Sequence, residues 1–213
     1  MPTFSRLYLG RRWKRNNVVK KVDDLAVKYE IDKYIARFDI KNQIDERAIC
    51  FLFDLFPYNK EYSQVVAKVA ELNALYSAGI PQKDISSVAK HIMSIDNLDE
   101  LFRKGEMKAV DRIGQTENGI NNAYVFASKY CSFHNPTEYL MFDSYGWYAM
   151  YRIAKENGLR VQLSKEIRSD YTGYKKYKDC VDEFLKKLEV SYDYKNIDKF
   201  LWLYGKELRG KEK

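Results

Sequence analysis

Apolar residues recur at intervals of three and four along nearly the whole chain, and only four prolines and ten glycines punctuate its 213 residues. That period gathers one apolar stripe on a helix and does not give the alternating faces of a half-buried strand, so the chain is read as all-α. Asp23 to Ile31 predicts a helix with acids in its first turn, where they complement the helix dipole. Ile44 to Phe56 predicts a second, with Ala48, Phe51, Leu52 and Leu55 as its buried stripe. Glu61 to Tyr76 is a third, and Pro81 sits where a first-turn proline opens a helix through Ile85, Val88, Ala89 and Ile92. Short helices follow from Asp96 to Gly105 and from Met107 to Ile113, and Gln115 to Gly119 is the clearest turn. Beyond it, Ala123 to Cys131 is so apolar that it must be buried on most sides. A break at His134-Asn135-Pro136 precedes a helix reaching Glu156. Two more run from Gly173 to Leu188 and from Ile197 to Tyr204, the last ending at Gly205.

Neither an internal repeat nor a low-complexity linker divides the chain, and its charge supplies the only clear partition. Arg6, Arg11, Arg12, Lys14, Arg15, Lys20 and Lys21 stand in the first 22 residues without an acid, while thirty basic and thirty acidic residues balance in the remainder. The net charge of +7 therefore belongs to this arm, and a polyanion, most commonly nucleic acid, is the expected partner. Arg11-Arg12-Trp13-Lys14-Arg15 pairs a planar ring with four charges, which makes Arg11, Arg12, Lys14 and Arg15 candidate phosphate contacts. A second interleaving of tyrosine and lysine, from Tyr171 to Lys178, suits backbone and stacking contacts and equally an ordinary amphipathic helix. The organisation expected is a basic arm over 1–22, a helical body over 23–205 with 75–135 as a candidate lobe, and a charged tail over 206–213.

Several classes are excluded by what the composition lacks. No run approaches the ~18 consecutive apolar residues of a membrane span, and the basic arm is not followed by the apolar core of a signal peptide. Cys50, Cys131 and Cys180 are widely spaced, with only His91 and His134 to assist, which suits free core thiols in a reducing cytoplasm better than disulfides or zinc. No GxGxxG or GxxxxGK[ST] segment is present, which argues against a nucleotide-binding α/β enzyme.

The segment from Leu75 to Tyr145 carries the most chemistry. Asp143 stands amid Leu140, Met141, Phe142 and Tyr145 after an Asn-Pro break, and a carboxylate among large apolar groups is costly unless something uses it. Asp143 followed by Ser144 at a helix start is equally a favourable N-cap, so both roles stay open.

Two passages here resemble the helix-hairpin-helix base-excision DNA glycosylases, the superfamily of endonuclease III, MutY and the 8-oxoguanine glycosylases. Tyr76-Ser77-Ala78-Gly79-Ile80-Pro81-Gln82 is similar to that family's loop entering a helix, from which a side chain wedges into the DNA stack. Ala127, Pro136 and Asp143 match a helix alanine sixteen residues before the catalytic aspartate with a proline between. Around them, Leu72 to Ser77, Phe126 to Tyr130 and Phe142-Asp143-Ser144 resemble bacterial proteins of the 8-oxoguanine-glycosylase fold. The resemblance implies two helical lobes with a cleft between them.

The departures are informative. Where lyase members carry Gly-x-Gly and then a nucleophilic lysine, this chain has Asn121-Asn122-Ala123 and Val125, and no four-cysteine iron-sulfur motif follows. The resemblance therefore implies a monofunctional glycosylase, working without cofactor or metal on double-stranded DNA as a monomer, in base-excision repair or in defence against phages with modified DNA. A non-catalytic DNA-binding protein on the same scaffold is the alternative.

In this reading Asp143 stabilises the positive charge that builds on the deoxyribose, and Lys129, one turn beyond Val125, is a fallback nucleophile whose ordinary role is that of a solvated lysine. Asn121 and Asn122 stand at the hairpin. Gly79 occupies the wedge position, too small to fill a gap in DNA, which leaves Gln82 as its substitute. His134, Tyr145 and Trp147 are the candidate walls of a pocket for the flipped base, although aromatic residues at helical spacing are mostly core.

Overall fold

The computed structural model describes residues 17–116, 123–189 and 191–211, with side chains from residue 26 onward except 40–43. The described residues form nine α-helices and one 3-10 turn, with no strand among them. In chain order these are α1 (Asn17–Leu55), α2 (Tyr62–Tyr76), the 3-10 turn (Gln82–Asp84), α3 (Ile85–Ser94), α4 (Leu98–Lys104), α5 (Lys108–Gly114), α6 (Ala123–His134), α7 (Ser144–Asn157), α8 (Tyr171–Leu188) and α9 (Tyr194–Lys211). The all-α expectation holds. Arg11, Arg12, Lys14, Arg15, Asn121, Asn122 and the end of the turn at Gly119 lie outside the described residues.

The first two expected helices are one. Val27, Ile31, Tyr34, Phe38, Ile49 and Phe53 are buried, and their steps of four, three, four, eleven and four keep one continuous stripe through α1. The stripe expected over Ala48, Phe51, Leu52 and Leu55 faces the other way: Ala48, Phe51 and Leu55 are exposed and Leu52 is half-buried. Both faces of this part of α1 are apolar, so periodicity identified the helix but not its buried side. That side is set by α9, α2 and α6, which pack against it.

Elsewhere local signals locate the elements. Gly105 closes α4 with φ at 67°, the left-handed geometry that glycine adopts without strain. Eight consecutive residues of α6, from Val125 to Ser132, are buried, as its composition requires. Helix α6 packs on α5, α1 and α2, which places it at the centre of the core.

Gly205 does not end the last helix. Helix α9 runs through it to Lys211, and the residue is glycine for a packing reason: a Cβ at this position would lie 2.0 Å from the Tyr145 carbonyl oxygen of α7. The glycine is a crossing point, and α7 with α9 is the most extensive helix pair in the molecule. The supposed tail is consequently held: Glu207 accepts from Tyr34 at 2.7 Å and Arg37 at 2.6 Å on α1. Further along the same seam, Lys199 pairs with Asp39 at 2.7 Å and Glu46 at 3.2 Å, and Lys195 with Glu46 at 3.0 Å.

Candidate active site

A cavity of about 370 Å³ opens between α1, α6, α7 and α9 and the loop after α2. Its polar walls are Lys129 of α6, Asp143 and Ser144 at the start of α7, Asp198 of α9, Asp45 and Glu46 of α1, and Ser77 of the loop. Its apolar walls include Phe38, Tyr76, Tyr145 and Trp202.

Asp143 is positioned by its neighbours on both sides. Before it, the Phe142 N–H donates to Ser128 Oγ at 3.0 Å, which ties the buried segment 139–142 to α6. After it, Asp143 Oδ1 accepts from the Tyr145 and Gly146 N–H groups at 2.8 and 2.7 Å, so Asp143 is the N-cap of α7. Both capping bonds fall on Oδ1, and Oδ2 accepts none among the described residues. The two roles left open by the sequence coexist in one side chain: it caps a helix and faces a cavity. The positive end of the helix dipole further favours a negative charge there.

Lys129 is buried, not solvated. Its ammonium donates to the Tyr76 carbonyl at 3.0 Å, an acceptor left over at the end of α2, and lies 5.8 Å from the Tyr76 ring centroid. The following Ser77 adopts the left-handed conformation, φ 45° and ψ 50°, which turns the chain out of α2 along the cavity.

Asp198 was not anticipated. It is buried on α9, and burial first, then the field of Asp143, pushes its carboxyl well above the usual carboxylate range. Glu46 adds to this repulsion, while Lys129 and Lys199 oppose it. Asp143 and Asp198 therefore differ in setting: one is held by two N–H donors at a helix N-terminus, the other is favoured in its protonated form. The available signal was spacing, since Asp198 shares a helical face with the buried Leu201 and Gly205 and with Trp202 of the wall. Trp202 stands edge-on to Phe38 and Tyr145, with centroids 5.7 and 6.0 Å away.

Of the expected base-pocket residues, only Tyr145 lines this cavity. Trp147 faces the opposite way, fully buried against Phe142 and Tyr177, with its Nε1–H donating to the Ser164 carbonyl at 2.8 Å. The position two residues after Tyr145 on α7 turns it into the core. Gln82 is exposed on the 3-10 turn and is not among the cavity walls.

His134 belongs to a different polar cluster. Its ring stacks on Phe102 at 4.3 Å, and its Nε2 lies 3.3 Å from Lys68 Nζ and 3.4 Å from Asn59 Nδ2. Lys68 is completely buried and donates to the carbonyls of Phe56 and Tyr58 and to Asn59 Oδ1 at 3.0, 3.1 and 2.9 Å. Tyr130 also donates to Asn59, whose amide donates to Asp99 at 2.6 Å. Burial pushes Lys68 down to about 8, opposed by Asp99, and holds His134 well below its ordinary value, with Lys68 adding to that shift.

Fold and site thus define an all-helical protein with a carboxyl- and lysine-lined cavity walled by aromatic rings. The chain belongs to the HI_0787 family: the profile HI_0787_N, described as an N-terminal domain, matches residues 30–138. That span includes Lys129 and the 76–77 loop and stops short of Asp143 and Asp198. An uncharacterized protein of Haemophilus influenzae is 34% identical over 143 residues, which covers 66% of this chain and 66% of the relative. No solved structure matches.

Proposed function

We propose that this protein is a DNA glycosylase of the helix-hairpin-helix type, acting on a damaged or modified base extruded from duplex DNA. The observation that carries the reading is convergence: the two passages that resemble the glycosylases, remote in sequence, both wall the cavity that holds Asp143, Asp198 and Lys129. Its volume of about 370 Å³ falls at the small end of ligand pockets, where a single nucleoside belongs.

Pairs of carboxyls whose surroundings separate their protonation suit acid and anion roles. When the N-glycosidic bond breaks, its electron pair leaves with the base, and the protonated Asp198 carboxyl supplies a proton to the departing ring. Asp143 faces the sugar carbon as positive charge develops there and orients the water whose oxygen forms the new bond, its carboxylate taking the proton that the water gives up. Phe38, Tyr145 and Trp202 provide flat apolar surface against which an extruded base stacks.

The buried position of Lys129 favours a second reading, in which its amine attacks the sugar carbon in place of water and the base leaves with the glycosidic electron pair. The sugar ring C–O bond then opens to give an imine as the ring oxygen takes the proton lost by nitrogen. Incubation with duplexes carrying a panel of oxidised, alkylated and hypermodified bases, followed by alkali, tests excision. Strand cleavage matched by Asp143→Asn across the panel would remove the enzymatic reading and leave a DNA-binding protein. Borohydride trapping of a protein–DNA adduct, lost in Lys129→Gln, separates imine chemistry from hydrolysis.

A further inference from the structure

Inside the cavity the fixed charge is mainly acidic, whereas two cations of α9 stand against its aromatic walls. Helix α9 continues past Trp202 to place Lys206 and Arg209 one turn apart. The Lys206 ammonium lies 4.6 Å from the Trp202 ring centroid, and the Arg209 guanidinium lies 5.6 Å from Tyr145 and 5.2 Å from Tyr148. Trp202 and Tyr145 are themselves cavity walls, so both cations lie against rings that line it. Neither makes an ion pair among the described residues, unlike Arg37, Arg103, Arg152, Arg168, Lys178, Lys195 and Lys199, each of which has a carboxylate. The acid between them, Glu207, is turned to α1 and taken by Tyr34 and Arg37.

We propose that Lys206 and Arg209 form a clamp for the DNA backbone at the mouth of the cavity, holding phosphates that flank the extruded nucleotide. This rests on the glycosylase reading and adds a partner surface to it. The chemistry favours phosphate over a second protein. Ring stacking fixes both cations without neutralising them, and the planar guanidinium keeps its donors for a bidentate anion. The acidic interior repels the same phosphates, so the backbone stays at the rim while a neutral base enters. Arg209 also complements the negative end of α9, which by itself would account for a basic residue there. Lys206 lies more than a turn before that end, and the dipole does not explain it.

The test is duplex binding as a function of salt, using a 15-bp duplex with a central tetrahydrofuran abasic analogue. Each phosphate contact contributes about one unit to the slope of log K against log salt. Lys206→Ala/Arg209→Ala is expected to reduce the slope by about two with unchanged circular dichroism, and Lys206→Arg/Arg209→Lys to restore it. Lys90→Ala, an exposed lysine on α3 outside the cavity walls, serves as the control and should leave the slope alone. A slope unchanged by the double alanine variant, in a protein that does bind the duplex, overturns the clamp. Absence of salt-dependent binding by the unaltered protein overturns the DNA reading itself, and the clamp with it.

Discussion

Two buried lysines occupy opposite kinds of surroundings. Lys68 is enclosed by three oxygens at hydrogen-bond distance and by the faces of Phe53 and Tyr130, and its cluster ties the ends of α1 and α6 to α2 and α4. Lys129 has one carbonyl and otherwise faces a cavity with three aspartates, one of them, Asp198, desolvated. A polar group fully paired inside a protein rigidifies the fold, whereas one left short of partners beside open space costs stability and is kept for another reason. The first cluster is therefore read as architecture and the second as a working site.

The largest effect expected from this contrast is on chemistry. Asp143→Asn preserves a good N-cap but removes the fixed negative charge, and should lower the rate of base excision by roughly 10²–10³-fold, measured under single turnover, with little change in melting temperature. Lys68→Met should do the reverse. It strands the Phe56 and Tyr58 carbonyls, at roughly 1–3 kcal/mol for each unpaired group, and leaves Asn59 Oδ1 with Tyr130 alone. A net loss of about 3 kcal/mol in chemical denaturation is expected, and excision at a temperature where the variant is folded should be retained. A cost below about 1 kcal/mol would remove the distinction between the two lysines.

Asp198 sharpens the contrast through pH. Its folded pKa lies above the unfolded value near 4, so the native state binds the extra proton, and the group lowers stability as pH rises through that interval. Asp198→Asn is accordingly expected to stabilise the protein at pH 7, with the gain vanishing below about pH 4, while excision falls. Destabilisation at pH 7 would show that Asp198 is architectural after all. The smallest effect concerns Tyr177, whose buried hydroxyl has no hydrogen-bond partner among the described residues and lies near the N-terminus of α7, where a Cβ on Gly146 would be 2.5 Å from it. Tyr177→Phe should raise stability by up to about 1 kcal/mol, read as a shift of a few degrees in thermal unfolding.

Legibility followed the range of the forces involved. Helix positions were readable where local chemistry decides them, as at Gly105 and the Asp143 cap, whereas Pro81 opens the 3-10 turn ahead of α3 and not the first turn of the helix itself. The buried side of α1 was not, because Ile49 and Phe53 compete with Phe51 and Leu55 and only the neighbouring helices choose between them. Gly205 looked like a stop for the same reason, since the tolerance of a glycine inside α9 comes from a backbone 60 positions away in sequence, at Tyr145. At the site, Asp143 stood out as a carboxylate among large apolar residues, and its role and Lys129 came from the resemblance. Asp198 was missed because it joins them only through the α7–α9 crossing, and Trp147 and His134 were misplaced because an aromatic residue near the right position does not specify the face it points from.

The missing methyl at Gly205 has a consequence for how such a cavity changes over time. The separation of α9 from the start of α7 decides how far Asp198 and Trp202 stand from Asp143, and at this crossing the backbones are already in contact. Position 205 therefore acts as a spacer: any larger residue wedges the walls apart without altering a single group that lines them. The width of the chamber, and with it the size of guest admitted, is written at a residue that never meets the guest.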